Sequence, residues 1–492
     1  MTHEIDPAFL ALPLKEAAAA ALQAAQDAGA THADLRVERL RGQDLSVRDG
    51  RLESLTDDVN VGLAVRVIHD GTWGFASSAD VTPDEAARLA REAVAMAKVA
   101  RPLNSQPVEL ADEPVYADVT WVSDYETDPF SIDPSDKVAL FAEWSSRLLQ
   151  SDQVDHVDIS LQQAMEGKFY ADSAGTMTTQ QRVRLLPQLT GTRVDPGGGF
   201  ETMRTIAAPV GRGWEYLSNE VYDWDDELAQ LPERLVEKAK ASSVEPGRYD
   251  LVIDPSNLWL TIHESIGHAT ELDRALGYEA AYAGTSFATI DQLNTLKYGS
   301  DLMHVTGDRH TQYGLSTVGY DDEGVAAQQW DLIKGGTLVG YQLDRRMARQ
   351  NAAVLGTSRS NGCAYADGPH RVPVQRMPNV SLQPDPNGPS LEALIGGVER
   401  GIYVVGDTSW SIDMQRYNFQ FTGQLRDVAY QTTTTEFWGS MEVVGGPETY
   451  VLGGAFNCGK AQPSQTAAVS HGCPAALFRG VNILNTVREA GR

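Results

Sequence analysis

The chain is short of basic residues and of cysteine, and it has no long apolar run. Its 492 residues carry 40 Lys and Arg against 67 Asp and Glu, a formal charge of −27. A surface of that sign repels a phosphate backbone or an anionic bilayer, which argues against nucleic acid and against a membrane as partners. No stretch approaches the roughly 18 continuous apolar residues of a membrane span, and the opening Met1-Thr2-His3-Glu4-Ile5-Asp6-Pro7 lacks the basic and apolar regions of a signal peptide. A cytoplasmic location is expected. Three cysteines, Cys363, Cys458 and Cys473, cannot build a disulfide framework; in a reducing compartment each is a buried small hydrophobe or a chemical group. There is no 20–50-residue repeat and no G-x-S-x-G elbow, so a solenoid and a serine hydrolase of that type are set aside.

What is present is globular: 42% apolar residues with 23 Pro and 44 Gly, in a chain long enough for two domains. Leu14–Ala28 reads as an Ala-rich helix ended by Gly29. From Ala33 the period changes to two, giving strands at Ala33–Arg39, Gln43–Arg48, Arg51–Leu55, Val59–His69 and Thr72–Ala76, with breaks at Gly42, Asp49-Gly50 and Asp70-Gly71. Thr82-Pro83-Asp84-Glu85 launches an amphipathic helix to about Ala100. Helices at Ser135–Leu149 and Asp225–Ala241 and strands near Asp155–Gln163, Gly167–Asp172 and Arg182–Thr192 complete the first half. Past Ser242–Gly247 the pattern is a strand, Tyr249–Ile253, a helix through Leu258–Thr270, and then short Gly-interrupted β-runs. The expected fold is α+β in two domains: residues 1–244 as an N-terminal α/β domain with an antiparallel meander and helices, and residues 245–492 as a C-terminal β-rich domain with few helices, carrying the one through Leu258–Thr270.

The helix holds the chemistry. His263-Glu264-Ser265-Ile266-Gly267-His268 brackets a carboxylate with two imidazoles, the residue types of a hydrolytic zinc site, in which neutral imidazoles ligate the ion and a Glu takes the proton of the attacking water. The spacing is one longer than H-E-x-x-H. On a regular α-helix an i, i+5 pair lies about 140° apart, so either the two histidines are unrelated or the helix widens locally to aim both at one ion, a distortion Gly267 would ease. Glu271 and Asp273 are close enough to hydrogen-bond an imidazole.

The motif with Glu271 three positions on resembles the TldD/PmbA (TldD/TldE) family of metallopeptidases, and its metal-bearing TldD side. Asp321-Asp322-Glu323-Gly324 with Gly335 and Gly340-Tyr341, Arg376-Met377-Pro378-Asn379, and Asn457-Cys458-Gly459-Lys460 are similar to further family segments; so are Ala33–Val37 and Asp70–Ala76. The resemblance is dense from Pro255 to Pro463 and loose from Ala100 to Val244. It implies Zn²⁺ held by His263, His268 and Cys458, Glu264 as general base, and Glu271 behind a ligand. It implies hydrolysis of extended or unfolded peptides in a chamber enclosed by a dimer, homomeric or with a PmbA/TldE-like subunit. The alternative is a non-proteolytic structural or substrate-binding subunit of a peptidase complex, for which an intact base has no use.

By spacing alone His471 and Cys473 are as ligand-like as Cys458; the resemblance favours Cys458, and Cys363 reads as structural. His156, His304, His310 and His370 read as ordinary core or solvated histidines. Gly454–Lys460 fits the first seven positions of a P-loop, but Ala461 stands where Mg²⁺ coordination needs Ser or Thr, so ATP binding is set aside.

Overall fold

The structure is a computed structural model and describes residues 4–242, 244–424, 428–456 and 468–485. A short helix α1 (Pro7–Leu10) and the Ala-rich α2 (Leu14–Asp27) lead into β1 (His32–Arg48), β2 (Arg51–His69) and β3 (Thr72–Ser78). Then come α3 (Pro83–Ala100), β4 (Val119–Val122), α4 (Pro134–Leu149), β5 (His156–Asp172), β6 (Met177–Val194), β7 (Phe200–Arg204) and α5 (Trp224–Lys240). The seven strands form one sheet in the order β3-β2-β1-β5-β6-β4, with β7 also on β6. All pairs are antiparallel except β4 with β6. The two Asp-Gly pairs make the expected tight turns, with φ of 47° and 75° at Asp49-Gly50 and 47° and 66° at Asp70-Gly71.

The expected breaks within the strands are absent. Gly42 faces Asp58 on one side and Ala164 on the other in continuous ladders, so β1, β2 and β5 each run 17 residues or more. Pairing on both flanks supplies the hydrogen bonds that a lone glycine would otherwise weaken.

The faces of this sheet differ sharply. Leu35, Val37, Leu45 and Val47 of β1, Leu63, Val65 and Val67 of β2 and Val157, Ile159, Leu161, Phe169 and Ala171 of β5 point to one side, under α2, α3, α4 and α5. The alternate positions are buried too, yet charged: Asp34, Arg36, Glu38, Arg66, Glu166, Lys168, Arg182 and Arg184. Opposite signs face each other across the ladders, as in Asp34↔Arg66, Glu38↔Lys168 and Glu166↔Arg182.

What covers that charged face is the second half of the chain. Arg66 pairs with Asp34 and Glu323 at 2.9 Å each, and Lys168 reaches Asp322 at 2.8 Å and Glu166 at 3.3 Å. Glu166 also receives Arg182 at 3.0 Å and Arg184 at 2.6 Å. Burial would raise the Glu166 carboxyl, but those cations together hold it well below the usual range. Glu38 is the exception. Its oxygens have no hydrogen-bond partner, its nearest cations lie at 3.8 and 3.9 Å, and burial pushes its carboxyl up to about 7.

The second half is built on β8 (Gly247–Ile253), flanked in a seven-stranded mixed sheet by Gly401–Val404, parallel, and Ala476–Asn485, antiparallel. Val428–Thr433, Asn418–Thr422 and the edge strand Trp410–Ile412 follow, and Met441–Val444 pairs on Ala476–Asn485. A four-stranded sheet (Thr337–Leu338, Gln329–Lys334, Val305–Asp308, Asn379–Leu382) and the pair Val451–Ala455 with Val469–Cys473 stand beside it. After β8 comes α6 (Pro255–Ile262), whose Leu258, Leu260 and Ile262 sink into the apolar core of this half with Phe419, Phe421, Tyr430, Phe437, Trp438 and Phe478.

Two outcomes test the charged junction. Lys168→Ala takes the closest cation from buried Asp322 and one of three from Glu166, and should cost about 3–5 kcal/mol in chemical denaturation. For Glu38, a carboxyl raised from 4.5 to about 7 contributes stability that is present below pH 4.5 and lost as pH climbs through 7. Glu38→Gln should therefore raise the melting temperature at pH 8 and change it little at pH 4.5; an equal shift at both would contradict the assignment.

Candidate metal centre

Helix α6 starts where the sequence supplies its caps: Asp254 accepts the Ser256 N–H at 2.9 Å, and Pro255 takes the first helical position. Its buried polar positions anchor it. Tyr430 donates to Asn257 at 2.8 Å and shares a 2.7 Å hydrogen bond with Thr261, fixing the helix against the second sheet.

Then the helix widens. His263–Gly267 is a π-helical turn, closed by the His268 N–H donating to the His263 carbonyl five residues back. This is the local widening that the i, i+5 spacing demands, and it brings the imidazole centroids to 4.6 Å. Carbonyls that lose their regular partners are caught by side chains. Gln342 Nε2 donates to Gly267 at 2.6 Å, Thr270 Oγ1 to Ile266 at 2.8 Å, and the Tyr298 hydroxyl to Ser265. Ser265 Oγ in turn accepts Trp438 Nε1 at 2.9 Å. Gly267 is required for a different reason from the one expected. Its φ of −51° is ordinary, but a Cβ there would stand 2.5 Å from the Met377 sulfur.

One donor atom each from His263, Glu264 and His268 lies within 4.8 Å of the others, the one such cluster of three among the described residues. The other nitrogen of each imidazole is committed. His471 Nδ1 sits 2.9 Å from the Val380 carbonyl and must donate to it, so His471 Nε2 accepts from His263 Nδ1 at 2.9 Å. His268 Nδ1 sits 2.8 Å from Glu271 Oε2 and donates to it. Both ligand candidates thus present Nε2 lone pairs. Burial, then neighbouring imidazoles and the Arg274 and Arg416 guanidiniums, push His263 well below the usual imidazole range; burial, Arg274 and Arg416 do the same to His268. Burial lowers His471 to about 4. Neutral imidazoles with oriented lone pairs beside a carboxylate fit a divalent cation such as zinc.

Glu264 is buried, which raises its carboxyl, while Arg416 opposes the rise through a 2.9 Å bond from Nη1 to Oε2. The Trp410 indole lies near the same carboxylate and also opposes the rise. Glu271 joins His268 to Arg274, and Arg376 bonds Glu279 at 2.9 Å with Asp273 at 3.8 Å. Asp273 therefore belongs to the guanidinium cluster and not to an imidazole.

Of the residues singled out in the sequence, His263, Glu264, His268 and Glu271 come together, and His471 serves as hydrogen-bond partner of His263. Cys458 lies outside the described residues, as does the end of the P-loop-like segment at Lys460. Cys473 and Cys363 are buried thiols, the latter pushed up to about 12 by burial. Arg416, Trp410, Tyr298 and Gln342 carry no local signal and arrive through tertiary structure.

The sequence profile of the PmbA/TldA metallopeptidase C-terminal domain matches residues 246–483, and that of PmbA/TldA metallopeptidase domain 1 matches residues 33–97. A metalloprotease of Methanocaldococcus jannaschii is 24% identical over 393 residues, 80% of this chain and 81% of that protein. A zinc metalloprotease TldD homolog of Saccharolobus solfataricus is 23% identical over 397 residues, 79% and 81% of the two chains. Among solved structures, TldE from Thermococcus kodakarensis superposes with a TM-score of 0.71 at 16% identity, covering 95% of this chain and 99% of its own. Two matched profiles at opposite ends of the chain, a shared fold and the histidine pair on its widened turn lead to one assignment: the chain belongs to the PmbA/TldD family of metallopeptidases.

Proposed function

We propose that this chain is a zinc-dependent metallopeptidase that hydrolyses extended or unfolded peptides, with His263, His268 and Cys458 as metal ligands and Glu264 as general base. The observation that carries the reading is the π-helical turn, which turns two imidazoles with Nε2 lone pairs toward one point beside a buried carboxylate. Zinc, when bound, would supply Lewis-acid polarisation of the scissile carbonyl and acidify water near neutral pH. Glu264 accepts the proton of the attacking water and passes it to the leaving amine. Arg416 holds Oε2, which leaves Oε1 to move the proton. Glu271 fixes the tautomer of His268 as His471 fixes that of His263.

The fold shared with TldE supports a partner of the same architecture, so the reading includes a homodimer or a heterodimer with a PmbA/TldE-like subunit, enclosing a chamber that admits extended chain. Residues 1–244 and 245–492 act as its two domains. No helix among the described residues is long and apolar enough to cross a membrane, and the proposed setting is the cytoplasm.

Glu264→Gln should retain zinc at the wild-type level by plasma mass spectrometry while turnover of an unfolded substrate falls about 10²–10⁴-fold. Cys458→Ser should lose zinc. Wild-type turnover from a fully metallated Gln variant would remove Glu264 from the role of base. A stable folded domain should resist digestion that consumes its denatured form; equal rates would argue against the enclosed chamber.

A further inference from the structure

Isolated apolar side chains on a surface need no explanation, but a group of them on two interlocked loops at a candidate site does. Trp410 is 54% exposed, Met414 56% and Tyr282 66%. Trp410 opens the edge strand and Met414 lies in the turn that follows it, and Tyr282 precedes Ala283 on the loop beside that turn. The loops are sewn together. Thr285 N–H donates to the Met414 carbonyl at 2.7 Å and Phe287 N–H to Gln415 at 2.9 Å, and Arg416 Nη2 reaches the Ala283 carbonyl at 2.9 Å. Gly284, at φ 88°, is what permits this approach, since a Cβ there would stand 2.4 Å from the Met414 carbonyl oxygen.

The turn itself is rigid. Asp413 accepts the N–H groups of Gln415, Tyr417 and Asn418, and Arg416 is held left-handed at φ 63° with its guanidinium on Glu264. The Trp410 indole lies near that carboxylate while much of the ring is open to solvent. A rigid aromatic face near the carboxylate and a pliable thioether on the loop that carries Arg416 are what a pocket for varied large apolar side chains is made of.

We propose, building on the peptidase reading above, that Trp410, Met414 and Tyr282 form an apolar wall that selects peptides with a large aliphatic or aromatic side chain next to the scissile bond. A subsite of this kind discriminates through the apolar surface it covers and is worth about tenfold or more in kcat/KM.

The full-length, zinc-loaded protein is given a denatured protein of known sequence, and its cuts are mapped by mass spectrometry. Leu, Met, Phe and Tyr should be enriched about tenfold over Ser and Asp at one position flanking the cuts, and Met414→Glu and Tyr282→Ser should each reduce that enrichment. Trp410→Phe keeps an aromatic face and should preserve most of it. In parallel, Glu264→Gln protein is titrated, following tryptophan fluorescence, with two decapeptides that differ only by Phe against Ser. A Kd ratio of about ten that collapses in the Glu264→Gln/Met414→Glu double variant supports the wall even if nothing is ever cut, which would defeat the peptidase reading alone. Cuts without enrichment, equal Kd values, or no binding of either peptide would each overturn the wall. Melting temperatures of all the variants, of which those at Trp410, Met414 and Tyr282 are at exposed positions, identify any that fail to fold.

Discussion

One backbone hydrogen bond sets up the site: the amide of His268 on the carbonyl of His263. With the regular α-helical bond in its place, the two imidazoles would diverge by about 140° and share nothing. A widened turn sacrifices regular bonding, and it persists only where the surroundings satisfy what it frees. Here Gln342, Thr270, Tyr298 and, through Ser265, Trp438 do so, and all are buried. The donor positions therefore depend on side chains up to 173 residues away in sequence.

The second organising feature is the ionic layer between the halves of the chain. Buried ion pairs are weak stabilisers in general because desolvation consumes most of their attraction, but they punish misalignment, since a displaced partner leaves a charge in low dielectric. Lys168 with Asp322 and Arg66 with Glu323 thus fix where the acidic turn 321–324 sits on the large sheet. That turn was singled out in the sequence beside the metal motif, and its place in the structure is this junction.

Much of this was legible beforehand. The Asp-Gly hairpins, the capped helices and the i, i+5 histidine spacing each follow from local rules, and the spacing alone demanded a widened turn if the two histidines were to meet. Gly42 misled, because a glycine in a strand paired on both sides costs little and marks no turn there. The burial of the charged face of β1, β2, β5 and β6 was not legible for another reason: alternation separates the two faces, and only the second half of the chain dries the polar one. Arg416 was invisible for a third reason. Its guanidinium reaches Glu264 because Asp413 and a left-handed backbone aim it, from a loop 152 residues along.

The two-faced sheet also bears on how the chain matures. Both apolar clusters of the first half draw their fully buried members from residues 5–235. That half can complete its hydrophobic packing while the remainder is still being synthesised, and the face it leaves open is ionic and readily hydrated. A nascent first half would meet the ribosome exit, and any neighbouring chain, with carboxylates and guanidiniums instead of a sticky apolar surface, and so wait for its partner half without aggregating.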